Sequence, residues 1–140
     1  MKLNIKQNCS NVDWNLIPKI LELGGMGFHE ASVHQKAFEN SASVIFAFDV
    51  DKLIGFGRAI SDEVYQAAIY DVAVLPDYQG RAIGRLIIET IVKSLPGCNF
   101  ILYATPGKDK FYEKLNFRKM KTAMGLFVNA ERMQNKGMIE

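Results

Sequence analysis

The sequence predicts a mixed α/β fold in which an antiparallel meander is followed by a βαβ crossover. Three stretches between residues 43 and 75 are rich in β-branched and aromatic side chains, and short polar turns separate them. An apolar helical pattern over residues 84–95 then leads to a short apolar stretch at residues 100–104. A meander that runs into a strand–helix–strand unit gives a sheet with antiparallel and parallel pairs and with helices on its faces.

The first elements are predicted to be a strand and two helices. Polar and apolar residues alternate over residues 1–6, which predicts the strand. A helix should begin near Asn15, because Pro18 is tolerated only in the first helical turn, and Gly24 should end it. A weaker periodicity predicts a second helix over residues 29–40.

The meander and the elements after it follow from changes of period along the chain. Strands are expected at residues 43–48, 53–60 and 64–75, with turns at residues 49–52 and 61–63. The short stretch 100–104 is continuously apolar, which suits a strand buried on both faces. Further on, a short helix is expected at residues 108–115, strands at residues 117–120 and 124–128, and a frayed polar tail from residue 129.

Length and composition restrict the class of protein. The chain has 140 residues, which predicts one domain over residues 1–140, and 49% hydrophobic with 23% charged residues is typical of a globular protein. A net charge of +2 is too small to favour a nucleic-acid partner. No apolar segment resembles a signal peptide or a membrane span, so we expect a cytoplasmic protein without a membrane partner.

The cysteines and histidines do not predict a metal site. Cys9 and Cys98 are too few for a disulfide framework and have no metal-ligand spacing, so we expect two reduced thiols. His29 and His34 show no metal-ligand pattern either. The oligomeric state stays open, with a homodimer as one alternative.

The most informative segment, residues 70–84, joins an apolar strand to a helix through a turn of small residues. Gly80, Ala82 and Gly84 let the backbone approach a ligand closely. The first N–H groups of a helix lack intrahelical partners and lie at the positive end of its dipole, so they form a phosphate site. An ordinary strand–turn–helix is the alternative. The P-loop pattern is absent because Arg85 follows Gly84, and the dinucleotide fingerprint matches poorly.

Two motifs in order resemble the GNAT superfamily of N-acetyltransferases. Residues 79–84, Gln-Gly-Arg-Ala-Ile-Gly, are similar to the family's acetyl-CoA motif, with Ala82 where many members have Gly. Residues 110–117, Lys-Phe-Tyr-Glu-Lys-Leu-Asn-Phe, resemble the second motif, which usually ends Leu-Gly-Phe. Asn116 replaces that Gly, and Asn tolerates the left-handed conformation better than most residues. The resemblance covers residues 43–121 and implies the GNAT-like acyl-CoA N-acyltransferase fold.

The resemblance implies that acetyl-CoA is the cosubstrate and that no metal takes part. In the family, the strand before the pyrophosphate loop carries a bulge and diverges from the next parallel strand, and pantetheine pairs with its backbone. Arg81, Arg85 or Lys108 could also reach the CoA phosphates. Thr105 is either a polar group near the cofactor or a plain turn residue before Pro106. The cofactor-binding residues implied are Val72, Ala73, Val74, Gln79, Gly80, Arg81, Ala82, Ile83, Gly84 and Thr105.

The implied reaction is attack of a neutral amine on the thioester within a ternary complex. Tyr112 matches the family tyrosine that donates a proton to the CoA sulfur, and its alternative role is that of a core aromatic. Asp71 abuts the expected bulge, so it is the carboxylate that would deprotonate or orient the amine, unless it only caps a neighbouring backbone group. Backbone N–H groups at Val72 or Ala73 would polarise the thioester carbonyl.

The acceptor is expected to be a primary amine on a small molecule. A non-catalytic CoA-binding module, or an acetyltransferase acting on a protein or tRNA-borne amine, is the alternative, and the low net charge disfavours tRNA. Acceptor-lining candidates, each with a surface or core role as its alternative, are Trp14, Phe28, His29, Glu30, His34, Arg58, Asp62 and Tyr65.

Overall fold

A five-stranded mixed sheet organises the first of two structural units. The computed structural model describes residues 1–140 and divides them into Met1–Ile101 and Leu102–Glu140. The single domain over residues 1–140 stays a prediction. The strands of the first unit are β1 Leu3–Lys6, β2 Ser43–Asp49, β3 Lys52–Ser61, β4 Gln66–Val74 and β5 Asn99–Ile101. Its helices are α1 Leu16–Leu23, α2 Ala31–Glu39 and α3 Ile83–Ser94, with a short 3-10 helix at Pro76–Tyr78.

The sheet has the order β1-β2-β3-β4-β5, and only its last pair is parallel. The three preceding pairs are antiparallel. Short turns join β2 to β3 and β3 to β4, whereas α1 and α2 lie between β1 and β2. The β4–α3–β5 segment forms the crossover. The predicted mixed sheet, with a meander before a βαβ unit, is therefore confirmed. In α1, Pro18 lies in the first turn and Asn15 takes the N-cap position, as predicted.

The two faces of the sheet carry different helices, because successive residues of a strand point to opposite faces. On one face, α1 and α2 build the main core over Phe56 of β3. On the other face, α3 packs against the two glycines that flank Phe56: a Cβ on Gly55 or Gly57 would lie 3.3 or 2.8 Å from Ile87. The buried members of the main core are Ile17, Ile20, Leu21, Phe38, Val44, Phe46, Leu53, Phe56 and Ala73.

Two sequence predictions about the edges of β4 and β5 are wrong. β4 begins at Gln66 rather than residue 64, because the Asp62 carboxylate accepts N–H bonds from Val64, Tyr65 and Gln66 at 2.8, 2.9 and 3.1 Å and holds them in a turn. β5 is not buried on both faces: Ile101 is 48% exposed. This strand lies at the sheet edge, and α3 packs instead on β2, β3 and β4.

The second unit contains two short helices, α4 Asp109–Glu113 and α5 Ala130–Asn135. The strands predicted at residues 117–120 and 124–128 are absent, because neither segment pairs with a strand and a strand needs ladder partners for its backbone groups. The tail also departs from the prediction. Residue Asn129 caps α5 through a 3.0 Å bond from the Arg132 N–H to its side-chain oxygen.

The two cysteines lie far apart in the sequence and form no disulfide. Cys9 and Cys98 are both free, and each is partly buried. None of the helices has the length and apolar character needed to cross a bilayer.

A substitution at Gly55 tests the close approach of β3 to β4. The new Cβ of Gly55→Ala would lie 2.9 Å from the Ala73 carbonyl oxygen, so the backbone must shift. We expect the free energy of unfolding to fall by about 1–3 kcal/mol in urea denaturation. The matched control is Gly24→Ala, whose Cβ would meet nothing closer than 3.5 Å and should change stability little. Equal stability of the two variants would contradict the packing argument.

Candidate active site

A bulge interrupts β4 in the middle of its pairing with β3. Arg58 pairs with Tyr70 and Phe56 pairs with Ala73, so two residues of β4 stand opposite Gly57 alone. The first of these two residues, Asp71, has a left-handed backbone with φ 56°. A bulge of this kind bends and twists the strand, which re-aims the backbone groups that follow.

Beyond its first three residues, β4 has no strand partner on its β5 side. The parallel pairing covers Gln66–Ala68 against Asn99–Ile101 and then ends, whereas the pairing with β3 continues to Val74. One backbone group on this unpaired edge has a partner within the chain, because the Gln79 side-chain amide donates to the Val74 carbonyl at 3.1 Å. The remainder offers main-chain groups to an extended ligand, which would bind as an added strand.

The connection from β4 to α3 brings the backbone into two further left-handed conformations. Gly80 has φ 78°, and a Cβ added there would meet nothing within 4 Å. Ala82, the N-cap of α3, has φ 61°, and no side chain caps the helix. The first bond of the ladder runs from the Leu86 N–H to the Ala82 carbonyl, so the N–H groups of Ile83, Gly84 and Arg85 precede it. This arrangement fits a phosphate group.

The positively charged residues near the loop differ in what they contact. The Arg81 guanidinium lies 5.1 Å from the centre of the Tyr78 ring, and the Tyr78 hydroxyl donates to Asp49 at 2.7 Å. Arg85 pairs instead with Glu89 at 2.7 Å on the exposed side of α3. Arg81 is therefore held beside the loop, whereas the Arg85 side chain is paired with a residue of its own helix.

Asp71 is half-buried and ion-paired. Its Oδ2 lies 2.7 Å from the Nε of Arg58, and the two side chains are 24% and 15% exposed. The Asp71 carboxylate thus binds the side chain of Arg58, whereas the alternative given by the sequence was a carboxylate that caps a backbone group. A base role for Asp71 stays a prediction.

Buried His34 lies in the same region and is neutral. Its Nε2 accepts a 2.9 Å bond from the His29 backbone N–H, so that nitrogen carries no proton. Burial lowers the pKa of His34; nearby Asp71 raises it, and His29 and Arg58 lower it further. An uncharged imidazole beside Arg58 avoids repulsion of the guanidinium.

In the second unit, Tyr112 lies on α4 and is half-buried. Its ring centre is 5.0 Å from that of Phe111 and 5.8 Å from that of Phe117, and burial raises the pKa of its phenol. Asn116 has φ 71°, and the Phe117 N–H donates to the Tyr112 carbonyl at 3.1 Å. Asn116 thus takes the left-handed place of the motif glycine. Thr105 is exposed, and its carbonyl accepts from the Lys108 N–H.

Two of the eight acceptor-lining candidates have structural roles. Trp14 packs at 5.8 and 6.0 Å against Phe38 and Phe46 in the core, and Asp62 holds the turn before β4. Phe28 and Tyr65 are 45% and 60% exposed. Glu30 is exposed, and the other three candidates lie together, because His29 and Arg58 are both close to His34.

Sequence reasoning passed over Gly57, although a signal was present. A Cβ there would lie 3.2 Å from the Val72 Cγ2, so Gly57 makes room for the bulged residue opposite. A glycine inside a strand pattern often marks a bulge on the neighbouring strand, and Gly57 could have been found in this way. No cluster of three or more His, Cys, Asp or Glu side chains suited to a metal ion is present.

A mixed sheet whose bulged strand leads into an uncapped helix N-terminus has the architecture of an acetyltransferase. Residues 40–119 match the family model described as an acetyltransferase (GNAT) domain, which is more than half of the chain. The chain therefore belongs to the GNAT family of acetyltransferases, and the resemblance noted from residues 79–84 and 110–117 is confirmed.

Relatives of known sequence or structure agree with this assignment. The chain is 36% identical over 90 residues to "Uncharacterized N-acetyltransferase ycf52" of Pyropia yezoensis, a match that covers 59% of this chain and 52% of that protein. It is 27% identical to "Serotonin N-acetyltransferase 2, chloroplastic" of Oryza sativa subsp. japonica, over 94% of this chain and 70% of the relative. This chain spans about half the length of the Pyropia protein.

A solved structure from meticillin-resistant Staphylococcus aureus, described as a probable acetyltransferase of unknown function, has a similar fold. It superposes with a TM-score of 0.78 at 27% identity and covers 90% of this chain and 98% of its own.

The pKa of His34 predicts a loss of stability in acid. Its pKa is lowered in the folded chain, so the unfolded chain binds the proton first. The free energy of unfolding should therefore decrease as the pH falls below about 6.5, the ordinary pKa of histidine. His34→Gln should reduce this slope in urea titrations at pH 5 to 8. His29→Gln is the control: it keeps the backbone N–H that donates to His34, so its free energy of unfolding should depend on pH as in the wild type. An identical slope in all three proteins would refute the buried neutral imidazole.

Proposed function

We propose that this chain transfers the acetyl group of acetyl-CoA to a primary amine on a small molecule, by direct attack within a ternary complex. The observation that carries the proposal is the bulged strand β4, free on one edge beyond Ala68, which leads directly into a left-handed loop and an uncapped helix N-terminus. An extended pantetheine arm and a diphosphate need these two features in this order.

The residues proposed to hold acetyl-CoA are main-chain groups. Val72, Ala73 and Val74 would pair with the pantetheine amides along the free edge of β4. The donors from Arg81 to Gly84, extended by the first turn of α3, would hold the diphosphate, with Gln79 and Gly80 shaping the loop. Thr105 remains a proposed polar contact.

The proposed chemistry uses one side-chain acid and main-chain donors. The neutral amine attacks the thioester carbonyl, a C–N bond forms, and N–H groups of Val72 or Ala73 stabilise the oxyanion. The C–S bond then breaks and the thiolate takes the proton of the Tyr112 hydroxyl, while the attacking nitrogen gives its extra proton to water, from which the Tyr112 phenolate is reprotonated. Since burial raises the pKa of Tyr112, its phenol stays protonated at neutral and mildly alkaline pH. The mechanism routes no proton through Asp71, whose carboxylate is paired with Arg58.

A small-molecule acceptor is favoured by the name of the rice relative, which acts on serotonin, an amine of low molecular weight. The location we propose is the cytoplasm. The word chloroplastic in the same relative's name makes the plastid the alternative, which imaging of a tagged protein would decide.

Cofactor binding and thiol release together test the proposal. Isothermal calorimetry should detect binding of acetyl-CoA, and a panel of small primary amines should contain at least one that causes release of free CoA thiol. Tight binding without thiol release for any amine would indicate a non-catalytic CoA-binding module. Absence of CoA binding would refute the proposed function.

A glycine pair tests the phosphate loop. Gly80 and Gly97 have left-handed backbones with φ 78° and 82°, and they lie before and after α3. Alanine at either position should cost about 1 kcal/mol of stability. Only Gly80→Ala should also weaken CoA binding, by about tenfold, because it shifts the phosphate donors. Calorimetry on both variants measures the difference, and equal Kd values would place the diphosphate elsewhere.

Tyr112→Phe tests the acid. We expect kcat to fall by about 10²-fold with little change in the Kd for acetyl-CoA. The wild-type rate should decline above pH ~10, beyond the ordinary pKa of tyrosine, and the variant should lack this decline. Tyr103→Phe, at another tyrosine of the second unit, serves as control. Full activity of Tyr112→Phe at every pH would remove Tyr112 from the mechanism.

A further inference from the structure

The Arg58 guanidinium is held from several directions at the bulge of β4. Its Nε donates to the Asp71 carboxylate at 2.7 Å, and its Nη1 donates to the Ser41 hydroxyl at 3.3 Å. The rings of Phe38 and Tyr70 have their centres 5.8 and 5.5 Å from the guanidinium carbon. A planar cation that lies beside two aromatic rings and makes two directed hydrogen bonds is restricted in position, so we expect Arg58 to be well ordered.

The contact between Arg58 and Asp71 exists only because of the bulge. Tyr70 stands directly opposite Arg58 and shares its face of the sheet. In a regular strand the next residue would point to the other face, toward α3. The extra residue changes this alternation: Asp71 joins Tyr70 on the Arg58 face, and Val72 takes the α3 face, beside the open position at Gly57.

The bulge in turn needs a group that holds it. Asp71 has a left-handed backbone, which costs free energy for any residue other than glycine, although less for Asp and Asn than for most. The ion pair with Arg58 is the contact of the Asp71 side chain that can do this. The neutral imidazole of His34 nearby does not compete for the carboxylate as a second cation would.

We propose that Arg58 is a positioning residue, which acts through Asp71 to hold the left-handed turn of the bulge and so aims the backbone N–H groups of Val72 and Ala73. The inference rests on the proposed acetyl transfer, in which these N–H groups stabilise the oxyanion. In this proposal the Asp71 carboxylate fixes the backbone conformation of the bulge through its ion pair with Arg58, and it does not act as a base.

A rescue experiment tests the proposal. Arg58→Met removes the ion pair, the bond to Ser41 and the charge, and should lower kcat at least tenfold with a smaller change in the KM for acetyl-CoA. Adding Asp71→Gly to that variant should restore most of kcat, because glycine adopts the left-handed conformation without a holding contact. As control, Lys119→Met removes another cation from an ion pair, with Asp109 at 3.3 Å, and should leave kcat unchanged.

The outcomes separate positioning from proton transfer. A double variant as slow as Arg58→Met, or slower, would overturn the proposal, since Asp71 itself would then be required. Wild-type kcat in Arg58→Met would overturn it as well. If Arg58→Met does not fold, Arg58→Lys, which keeps the charge and loses the planar fork, takes its place in the same comparison.

A spectroscopic readout keeps this test independent of the proposed function. In ¹⁵N–¹H spectra without ligand, the amide resonances of Val72 and Ala73 should move in Arg58→Met and return toward their wild-type positions in the double variant. Unmoved resonances would overturn the positioning role even in an active enzyme. Restored resonances in a chain that binds no CoA would retain the positioning role and refute the acetyl transfer.

Discussion

The left-handed turn at Asp71 is the constraint on which the functional surface of the first unit depends. One extra residue in β4 lets Ala73 enter the main core opposite Phe56, while Val72 lies over Gly57 on the α3 face. The pairing of β4 with β5 ends at Ala68, before the bulge begins. A strand that is firmly held on one edge and free on the other can offer main-chain groups to an extended ligand.

Two of the six non-glycine residues that have a left-handed backbone lie in the segment that belongs to the proposed site. Asp71 and Ala82 are both non-glycine residues in the left-handed region, one at the bulge and one at the N-cap of α3. Each is costly by itself and persists because the surroundings impose it. Asp71 is held by Arg58, and Ala82 starts the hydrogen-bond ladder of α3 through its bond with the Leu86 N–H. Phe38 and Phe56 are fully buried in the main core, which also contains Ala73, two residues after Asp71.

The local motifs of the chain were predicted well, because they depend on short-range rules. The helix start at Asn15 and the left-handed Asn116 follow from caps and turns that involve only a few neighbouring residues. Predictions failed where the conformation of a segment depends on pairing with residues that are distant in the sequence. The strand expected at residues 124–128 is a short apolar stretch, but no strand pairs with it, and Met124, Leu126 and Val128 are exposed.

The sequence by itself determined the mixed sheet, the meander and the loop before α3, because hydrophobic period and turn residues act over a few positions. It also pointed to Asp71 and Tyr112 as residues of interest. Only the tertiary structure decided that Asp71 pairs with Arg58, thirteen residues earlier, and that Gly57 faces the bulge. Those contacts depend on the register of two strands, and one extra residue reverses the face on which every following side chain lies.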